Sequence, residues 1–179
     1  MSSISPPSNK LWWKEPIEKA ELIWIAVVIV WGIILTLMMP FWHVYGKQNL
    51  SSEAYHTTPE VYLKKVQAGV DQHTVRTDTN GKPVVKPPVG SDVYMLGRLW
   101  EWWPALELQV GQSYRLHLAS MDWQHGFSLQ PANLNVQVLP GYDMVMTVTP
   151  NKVGEYSIVC NEYCGIGHHM MLGKIHVVE

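Results

Sequence analysis

The sequence predicts an all-β sandwich or small barrel that follows a single membrane-spanning helix. One apolar run near the N-terminus, LIWIAVVIVWGIILTLMMPFWHVYG at residues 22–46, holds no acidic or basic side chain except His43. From residue 92 onward, short alternating runs are separated by turn residues, a pattern typical of β-strands. With 47% hydrophobic and 16% charged residues, the chain is too apolar to be disordered.

The apolar run at residues 22–46 is long enough to cross a bilayer once, because a helical crossing needs about 20 apolar residues. A signal peptide is the main alternative, but its apolar region covers only about 7–15 residues and is followed by small residues. Here the run ends in the bulky sequence MMPFWHVYG. A buried core helix is disfavoured because the segment is apolar around its full circumference. We therefore predict a retained transmembrane helix in contact with membrane lipid.

The lysines around the anchor predict its orientation. Lys10, Lys14 and Lys19 precede it, whereas Lys47 is the single lysine close behind it. Acidic residues contribute little to the positive-inside rule, so this asymmetry places residues 1–21 in the cytoplasm. The C-terminal domain is then expected on the periplasmic or outer face of the cell membrane.

A polar connector, residues 47–91, is expected between the anchor and the β-domain. It contains one short predicted helix that Thr58 caps, with Pro59 at the first helical position. We expect this helix to reach about Ala68, where Gly69 ends it. The following TNGKPVVKPPVG is rich in turn residues and cannot continue a helix.

The C-terminal domain, residues 92–179, carries eight candidate strands. Alternation is clear at Tyr114, Leu116 and Leu118, which give one apolar face. The eight runs are residues 93–102, 105–110, 113–120, 125–130, 134–139, 143–150, 155–160 and 173–179. Short strands separated by turn residues at this frequency indicate a sandwich or a small barrel.

The charge of the chain is close to balance, with a formal net charge of −2 at pH 7. No basic stripe is present, so nucleic acid binding has no electrostatic support. Residues 47–179 hold ten Lys and Arg against twelve Asp and Glu. A partner attracted by strong charge is therefore not implied either.

The two cysteines of the chain, Cys160 and Cys164, lie in the C-terminal stretch IVCNEYCGIGHHMMLGKIHVVE. A disulfide between them suits an oxidising outer compartment, yet it would close a very small loop and add little stability. A zinc ion bound by both cysteines, His168 and a distant histidine fits the pair equally well. The cysteine spacing alone leaves both interpretations open.

The residues beyond the cysteines favour copper. Met171 follows His168 in the pattern Cys-x3-Cys-x3-His-x2-Met, and a thioether suits copper but is a poor ligand for zinc. A mononuclear blue copper site uses one cysteine, so a second thiolate is one too many. Two thiolates can instead bridge two copper ions, each with one imidazole and one weak axial donor. The second imidazole must then come from elsewhere, and His125 in MDWQHGFSL is the candidate.

The sequence around these residues resembles a known family. The stretch HGFSLQPANLNVQVLPGYDMVMTVTPNKVGEYSIVCNEYCGIGHHMMLGKIHVVE is similar throughout to the dinuclear copper (CuA) domain of subunit II of haem-copper cytochrome c oxidases. The similarity covers residues 92–179 well and the membrane helix more loosely. The compact chain and its single helix resemble the B-type oxidases. The resemblance implies a cupredoxin-like Greek-key sandwich over residues 92–179.

The resemblance also implies which residues bind the two copper ions. Five ligands are side chains, and the sixth is the backbone carbonyl of Glu162. The side-chain ligands are His125, Cys160, Cys164, His168 and Met171. The adjacent His169 and Met170 are expected to lie outside this set. In many family members the carboxylate that matches Glu162 helps to hold magnesium, but B-type relatives depart from this, so magnesium is the less favoured cofactor.

Two further assignments rest on the same resemblance. In the family, an aromatic residue of the first strand region lies above the copper centre and receives electrons, and Trp100, Trp102 and Trp103 occupy that region here. We expect at least one of them to be exposed near the copper loop. In B-type relatives an acidic residue just before the membrane helix lies at the mouth of a proton channel. Glu18 is the best match, followed by Glu21.

The function that the resemblance implies is one-electron transfer in a terminal cytochrome c oxidase. The copper centre would accept electrons from cytochrome c or a small copper protein and pass them to haem in subunit I, where oxygen is reduced and protons are translocated. The chain itself has no Cys-x-x-Cys-His haem motif. One alternative is the small subunit of a CuA-containing nitric oxide reductase. An alternative of another class is a membrane-anchored copper- or zinc-binding module.

Overall fold

The computed structural model describes residues 11, 14, 16–46 and 53–179. It divides the chain into two compact units, Met1–Asn49 and Leu50–Glu179. Lys10 and Lys47, on which the predicted orientation partly depends, lie outside the described residues. The predicted boundary at residue 92 does not separate two compact units, because the connector and the β-domain share the second one.

Helix α1 (Lys19–Tyr45) forms the first unit and contains 27 residues, which corresponds to about 40 Å. This length and its apolar composition are sufficient to cross a bilayer, and α1 is the only such helix among the described residues. The helix begins three residues before the apolar run. Glu18 is its N-cap, and the carboxylate of Glu21 accepts a hydrogen bond from the Glu18 backbone N–H at 3.0 Å. This contact satisfies a backbone donor that the first helical turn leaves free.

The second unit is a two-layer β-structure with one helix. Its elements are β1 (Glu53–His56), α2 (Pro59–His73), β2 (Thr74–Thr77), β3 (Pro83–Val85), β4 (Asp92–Arg98), β5 (Glu101–Trp103), β6 (Ala105–Gln109), β7 (Tyr114–Ser120), β8 (His125–Gln130), β9 (Leu134–Val138), β10 (Tyr142–Val148), β11 (Gly154–Cys160), a 3-10 turn (His168–Met170) and β12 (Leu172–Val178).

The strands form two sheets with mixed pairing. The first sheet has the order β1-β10-β7-β4-β5, and the second has the order β2-β3-β6-β12-β11-β8-β9. Strand β4 pairs with β7 in parallel, and β6 pairs in parallel with both β3 and β12, whereas the other pairs are antiparallel. The chain therefore crosses repeatedly between the sheets, as in a Greek key. The predicted cupredoxin-like sandwich is confirmed, and the barrel alternative does not apply.

The hydrophobic core lies between the two sheets. Inward-facing side chains such as Leu118, Phe127 and Ile158 are completely buried. The predicted alternation in β7 is correct, because Tyr114, Leu116 and Leu118 all belong to this core. The same cluster includes Cys160, Cys164 and Met171. These three side chains of the C-terminal cysteine loop therefore continue the core and are closed to water, whereas Tyr163 and Ile166 of the same loop are exposed.

Two local predictions differ from the structure. Gly69 does not end the connector helix, because α2 continues to His73. Val70, in the last turns of α2, is 9% exposed and packs on the sandwich. Burial of such a side chain contributes about 1.5–3 kcal/mol, which exceeds the roughly 1 kcal/mol that glycine costs within a helix, so the helix continues past Gly69. The predicted strand at residues 93–102 is two strands, β4 and β5, which form a hairpin.

Candidate metal centre

The strand pairing brings the predicted metal ligands to one end of the sandwich. Cys160 is the last residue of β11 and pairs with Phe127 of the antiparallel neighbour β8. His125 is the first residue of β8, so it lies beside the point where β11 ends. The loop between β11 and β12 then carries the remaining candidates over the same end. Residues that are 35 positions apart in the chain thus meet at a single site.

The two cysteine thiols form the centre of this site. Cys160 and Cys164 are both free and buried, with 3% and 6% exposure. Their Sγ atoms are 3.7 Å apart, well beyond the roughly 2.05 Å of a disulfide bond. The structure therefore presents two neighbouring thiols that are available to metal.

Each thiol has its own imidazole neighbour. Nδ1 of His125 lies 4.0 Å from Sγ of Cys160, and Nδ1 of His168 lies 3.6 Å from Sγ of Cys164. The ligand atoms of His125, Cys160 and Cys164 all lie within 4.8 Å of one another, and His168 is not part of that compact group. Each imidazole therefore lies beside a different thiol.

Each thiol also has one weak donor beside it. The thiol of Cys160 donates a hydrogen bond to the carbonyl oxygen of Glu162 at 3.2 Å. Sδ of Met171 lies 3.7 Å from Sγ of Cys164, and Met171 is completely buried. The six donors thus surround one pair of thiols, and this set fits soft copper ions.

The neighbouring His169 and Met170 do not join the donors. His169 is exposed, and Met170 is 62% exposed. The 3-10 turn (His168–Met170) places consecutive side chains in different directions, so one histidine faces the thiols and the next faces solvent. Its backbone continues into Met171, whose N–H donates to the carbonyl of His168 at 3.2 Å.

Burial controls the protonation of the Cys164 thiol. Burial, followed by the hydrogen bond and the charge of the neighbouring Cys160, raises the pKa of Cys164 to about 11. A thiol with this pKa is protonated at neutral pH. Because metals bind cysteine as thiolate, metal uptake at this site must release protons.

Comparison with known proteins identifies the family of the chain. No family profile matches the chain. The chain is 36% identical over 132 residues to cytochrome c oxidase subunit 2 of Thermus thermophilus, a match that covers 70% of this chain and 97% of that relative. This chain belongs to the cytochrome c oxidase subunit II family. Membership makes it a component of an oxidoreductase complex and implies a subunit I partner.

Two further matches agree with this family. A probable cytochrome c oxidase subunit 2 of Streptomyces coelicolor is 39% identical over 76 residues, 42% of this chain and 24% of that protein. A chain of a haem-copper terminal oxidase dimer solved by cryo-electron microscopy is 26% identical and superposes with a TM-score of 0.52, over 86% of this chain and 99% of that one. Together with α1, the family indicates a single-pass membrane protein. The assignment to the B-type group stays a prediction.

The candidate ligand His125 is held by an aspartate that the sequence analysis above did not identify, Asp122. Oδ1 of Asp122 lies 2.8 Å from Nε2 of His125, and the backbone N–H groups of Leu99 and Trp123 donate to the same carboxylate. Burial acts to raise the pKa of Asp122, but the hydrogen bond from His125 and the two backbone N–H groups lower it overall. The spacing Asp-x2-His was the available signal, because a metal-binding histidine usually donates its second N–H to a carboxylate or carbonyl oxygen.

Two glycines give the ligand loop the space that it needs. A Cβ atom at Gly126 would lie 2.0 Å from Oδ1 of Asn161 and 2.7 Å from the backbone N of Glu162. A Cβ atom at Gly167 would lie 2.3 Å from Cδ2 of Trp100. A side chain at Gly126 would displace the loop that carries Cys164, His168 and Met171, and a side chain at Gly167 would displace Trp100 or that loop.

The three tryptophans of the β4–β5 hairpin have different environments. Trp100 is 40% exposed, and its indole N–H donates to the carbonyl of Cys164 at 3.4 Å. Trp102 is 1% exposed and packs edge-to-face against His125. Trp103 is half-buried, with the guanidinium of Arg98 5.8 Å from its ring centroid. The expectation that at least one tryptophan is exposed near the copper loop is confirmed by Trp100.

An apolar surface surrounds Trp100. We call it the apolar patch, and it consists of Leu99, Trp100, Trp123, Tyr163 and Ile166. These side chains are 36–87% exposed and border a shallow cavity of about 440 Å³ beside Cys164. The patch contains no charged side chain, so contacts made there by a partner must be mainly apolar.

The remaining predicted site residues lie outside this cluster. The side chain of Glu162 is half-buried, and its carboxylate belongs to no group of three or more potential metal ligands among the described residues. Magnesium at this carboxylate stays a prediction. Glu18 is the exposed N-cap of α1, and its proposed place at a proton channel also stays a prediction.

Proposed function

We propose that this chain is the electron-transfer subunit of a terminal cytochrome c oxidase. Its metal-binding residues would hold two copper ions, which would supply one-electron transfer from a donor outside the membrane to haem in subunit I, where oxygen reduction is coupled to proton translocation. The observation that carries the proposal is the arrangement of two thiols 3.7 Å apart, each with its own imidazole and its own weak donor.

The donor count supports two copper ions. Cys160 and Cys164 would hold the two ions as thiolates, together with the imidazoles of His125 and His168, the thioether of Met171 and the carbonyl of Glu162. A single tetrahedral zinc ion would use four of these donors and leave the thioether and the carbonyl without a purpose. When bound, the copper pair supplies reversible one-electron transfer.

The protein residues keep the centre rigid and dry. His125 and Met171 are fully buried, and Asp122 holds the far nitrogen of His125. The loop backbone is fixed by hydrogen bonds from Cys160 N–H to the Met171 carbonyl at 3.2 Å and from Asn161 N–H to the Gly126 carbonyl at 3.2 Å. Ligands that cannot rearrange need little reorganisation when the charge of the site changes.

The apolar patch is the proposed docking surface for the donor, a cytochrome c or a small copper protein. Trp100 is its central residue, because it is exposed on one side and donates a hydrogen bond to the carbonyl of Cys164 on the other. Electrons would therefore enter through Trp100. Since the patch carries no charge, we expect donor oxidation to depend weakly on ionic strength.

We further propose that the N-terminus is cytoplasmic and that the copper domain faces the periplasmic or outer side. Lys14 and Lys19 precede the apolar run, which supports this orientation by the positive-inside rule. Glu18 would then lie at the cytoplasmic surface, where a proton channel of the complex could take up protons.

The number and kind of metal ions in the purified full-length chain test the proposal. After copper loading in detergent, we expect about two copper ions per chain and an electron paramagnetic resonance signal from one electron shared by two copper nuclei. A chain that binds zinc in preference to copper, or a single exchangeable copper ion, would instead support a metal-binding module. Co-purification with subunit I would then identify the terminal acceptor, oxygen or nitric oxide.

A further inference from the structure

The indole of Trp102 is a buried neighbour of the copper ligand His125. Trp102 is the largest fully buried side chain among the described residues, with 1% exposure. Its ring centroid lies 6.0 Å from that of His125 at an interplanar angle of 69°, and 5.3 Å from that of Phe127 at 87°. Both contacts are edge-to-face, the favourable geometry for aromatic rings. Because it is buried, Trp102 cannot touch a docked electron donor.

Two glycines leave the space that this indole occupies. Gly97 pairs with Trp102 across the β4–β5 hairpin. A Cβ atom at Gly97 would lie 2.9 Å from Cζ3 of Trp102 and 3.3 Å from Cδ2 of His125. A Cβ atom at Gly173 would lie 2.6 Å from Cβ of Trp102. The six-membered ring of the indole and the imidazole therefore meet at Gly97.

Stability alone does not account for an indole at this position. Nε1 of Trp102 is buried and has no hydrogen-bond partner among the described residues. A buried donor without an acceptor destabilises the fold, and phenylalanine would avoid that penalty. Compared with phenylalanine, tryptophan has a longer side chain, and its six-membered ring extends to Gly97 and the edge of His125.

We propose that Trp102 is a positioning residue that fixes the orientation of the copper ligand His125. Asp122 holds Nε2 of the imidazole, and Trp102 packs against the ring, so Nδ1 is directed towards Cys160. The inference rests on the proposed function, because orientation of this ring matters only if His125 binds copper. Its effect is confined to one half of the site, since Trp102 has no ring contact with His168.

The test compares Trp102→Phe with Trp103→Phe in the copper-loaded, detergent-purified full-length chain. Trp103 lies one residue away, and its ring is next to Arg98 instead of a copper ligand. In Trp102→Phe we expect a changed magnetic coupling for one of the two imidazoles and copper loss to a chelator that is faster by about tenfold. The coupling of the second imidazole is expected to match the wild type. In Trp103→Phe, both imidazole couplings and the rate of copper loss to the chelator are expected to match the wild type.

A second variant approaches the same contact from the other side. Gly97→Ala keeps the indole but places a methyl group against Trp102 and His125, so the coupling of the same imidazole should change. Thermal unfolding of the copper-free proteins identifies a variant that does not fold. If Trp102→Phe does not fold, the imidazole coupling in Gly97→Ala tests the positioning role. If folded variants keep both couplings and the wild-type copper retention, the positioning role is wrong. If the wild type itself binds one ion or zinc, the proposed function fails instead.

Discussion

The carboxylate of Asp122 lies 2.8 Å from Nε2 of His125, on the side of the imidazole away from the thiol of Cys160. This hydrogen bond places a proton on Nε2 and leaves Nδ1 free to bind metal. Asp122 also accepts the backbone N–H of Leu99 at 2.7 Å, and Leu99 adjoins Trp100. One carboxylate thus connects the proposed copper ligand to the hairpin that carries the proposed electron-input residue.

Asp122→Asn is expected to weaken copper binding by roughly 10–100-fold, because a neutral amide orients His125 less firmly than a carboxylate does. Copper affinity is measured by competition with a chelator. Asp143→Asn is the matched control, since Asp143 pairs with Nδ1 of the buried His117 at 3.0 Å and has no contact with the copper ligands. Equal losses in the two variants would contradict the specific role of Asp122.

The paired histidines of GHHMM allow a direct test of the ligand set. His168→Gln should lower the copper content from about two ions per chain to about one or none, because one half of the site loses its imidazole. His169→Gln should leave the content unchanged, since His169 is exposed and outside the donor cluster. Metal analysis after gel filtration measures both values. Copper loss in His169→Gln alone would reverse the assignment.

The paired methionines test the weak axial donor. Met171→Leu should retain copper but shift its reduction potential, because an axial thioether adjusts the potential of a copper–thiolate site more than its affinity. Met170 is 62% exposed, so Met170→Leu should behave as the wild type. Spectroelectrochemical titration of both variants gives the comparison. A shift in the Met170 variant, with none in the Met171 variant, would overturn the assignment.

Trp100→Ala is expected to slow donor oxidation by about tenfold, because it removes both the centre of the apolar patch and the indole hydrogen bond to Cys164. The copper content should stay unchanged, since Trp100 is not a ligand. Stopped-flow reduction of the oxidase complex by its donor, at low and high salt, measures the effect. A rate that falls steeply with salt would show that docking is electrostatic and not apolar.

Spacing in the sequence predicted the local part of the site. Cys160, Cys164, His168 and Met171 share one loop, so donor chemistry and separation together indicate copper. His125 required the fold, because only the pairing of β8 with β11 brings it to the cysteines. Asp122 was missed for a different reason: a carboxylate in a turn gives no periodic pattern, the spacing Asp-x2-His is a short signal, and the distance to His125 shows the contact.

The fold was predictable where burial alternates. In β7, the exposed Arg115 lies between the buried Tyr114 and Leu116, as alternation predicts. The alternation ends at His117, which is buried because Asp143 and Tyr94 cover it. The three strands that the structure shows between residues 53 and 91 of the connector could not be recognised in this way. Strand β1 (Glu53–His56) is exposed at every position and contributes backbone pairing to an edge, so its side chains carry no pattern.

The buried carboxylate of Glu107 makes stability depend on pH. Glu107 is 7% exposed and forms ion pairs with Arg76 and, at 3.1 Å, with Lys86. The hydrogen bond from Arg76 contributes most, and with Lys86 it outweighs burial and holds the pKa of Glu107 below its usual 4.5. A carboxyl group whose pKa is lowered by folding stabilises the protein above its unfolded pKa, and this contribution is lost as the pH falls through the folded pKa.

Glu107→Gln should therefore lower the free energy of unfolding by about 1–2 kcal/mol at pH 7, because it removes charged hydrogen bonds to Arg76 and Lys86. The difference from the wild type should shrink as the pH falls below about 4, where the wild-type carboxyl group is protonated as well. Urea unfolding of the copper-free chain at several pH values measures both quantities. Glu155→Gln is the control, because its pair with Lys174 is exposed and contributes little. A Glu107→Gln difference of constant size down to pH 3 would show that packing, and not charge, accounts for the loss.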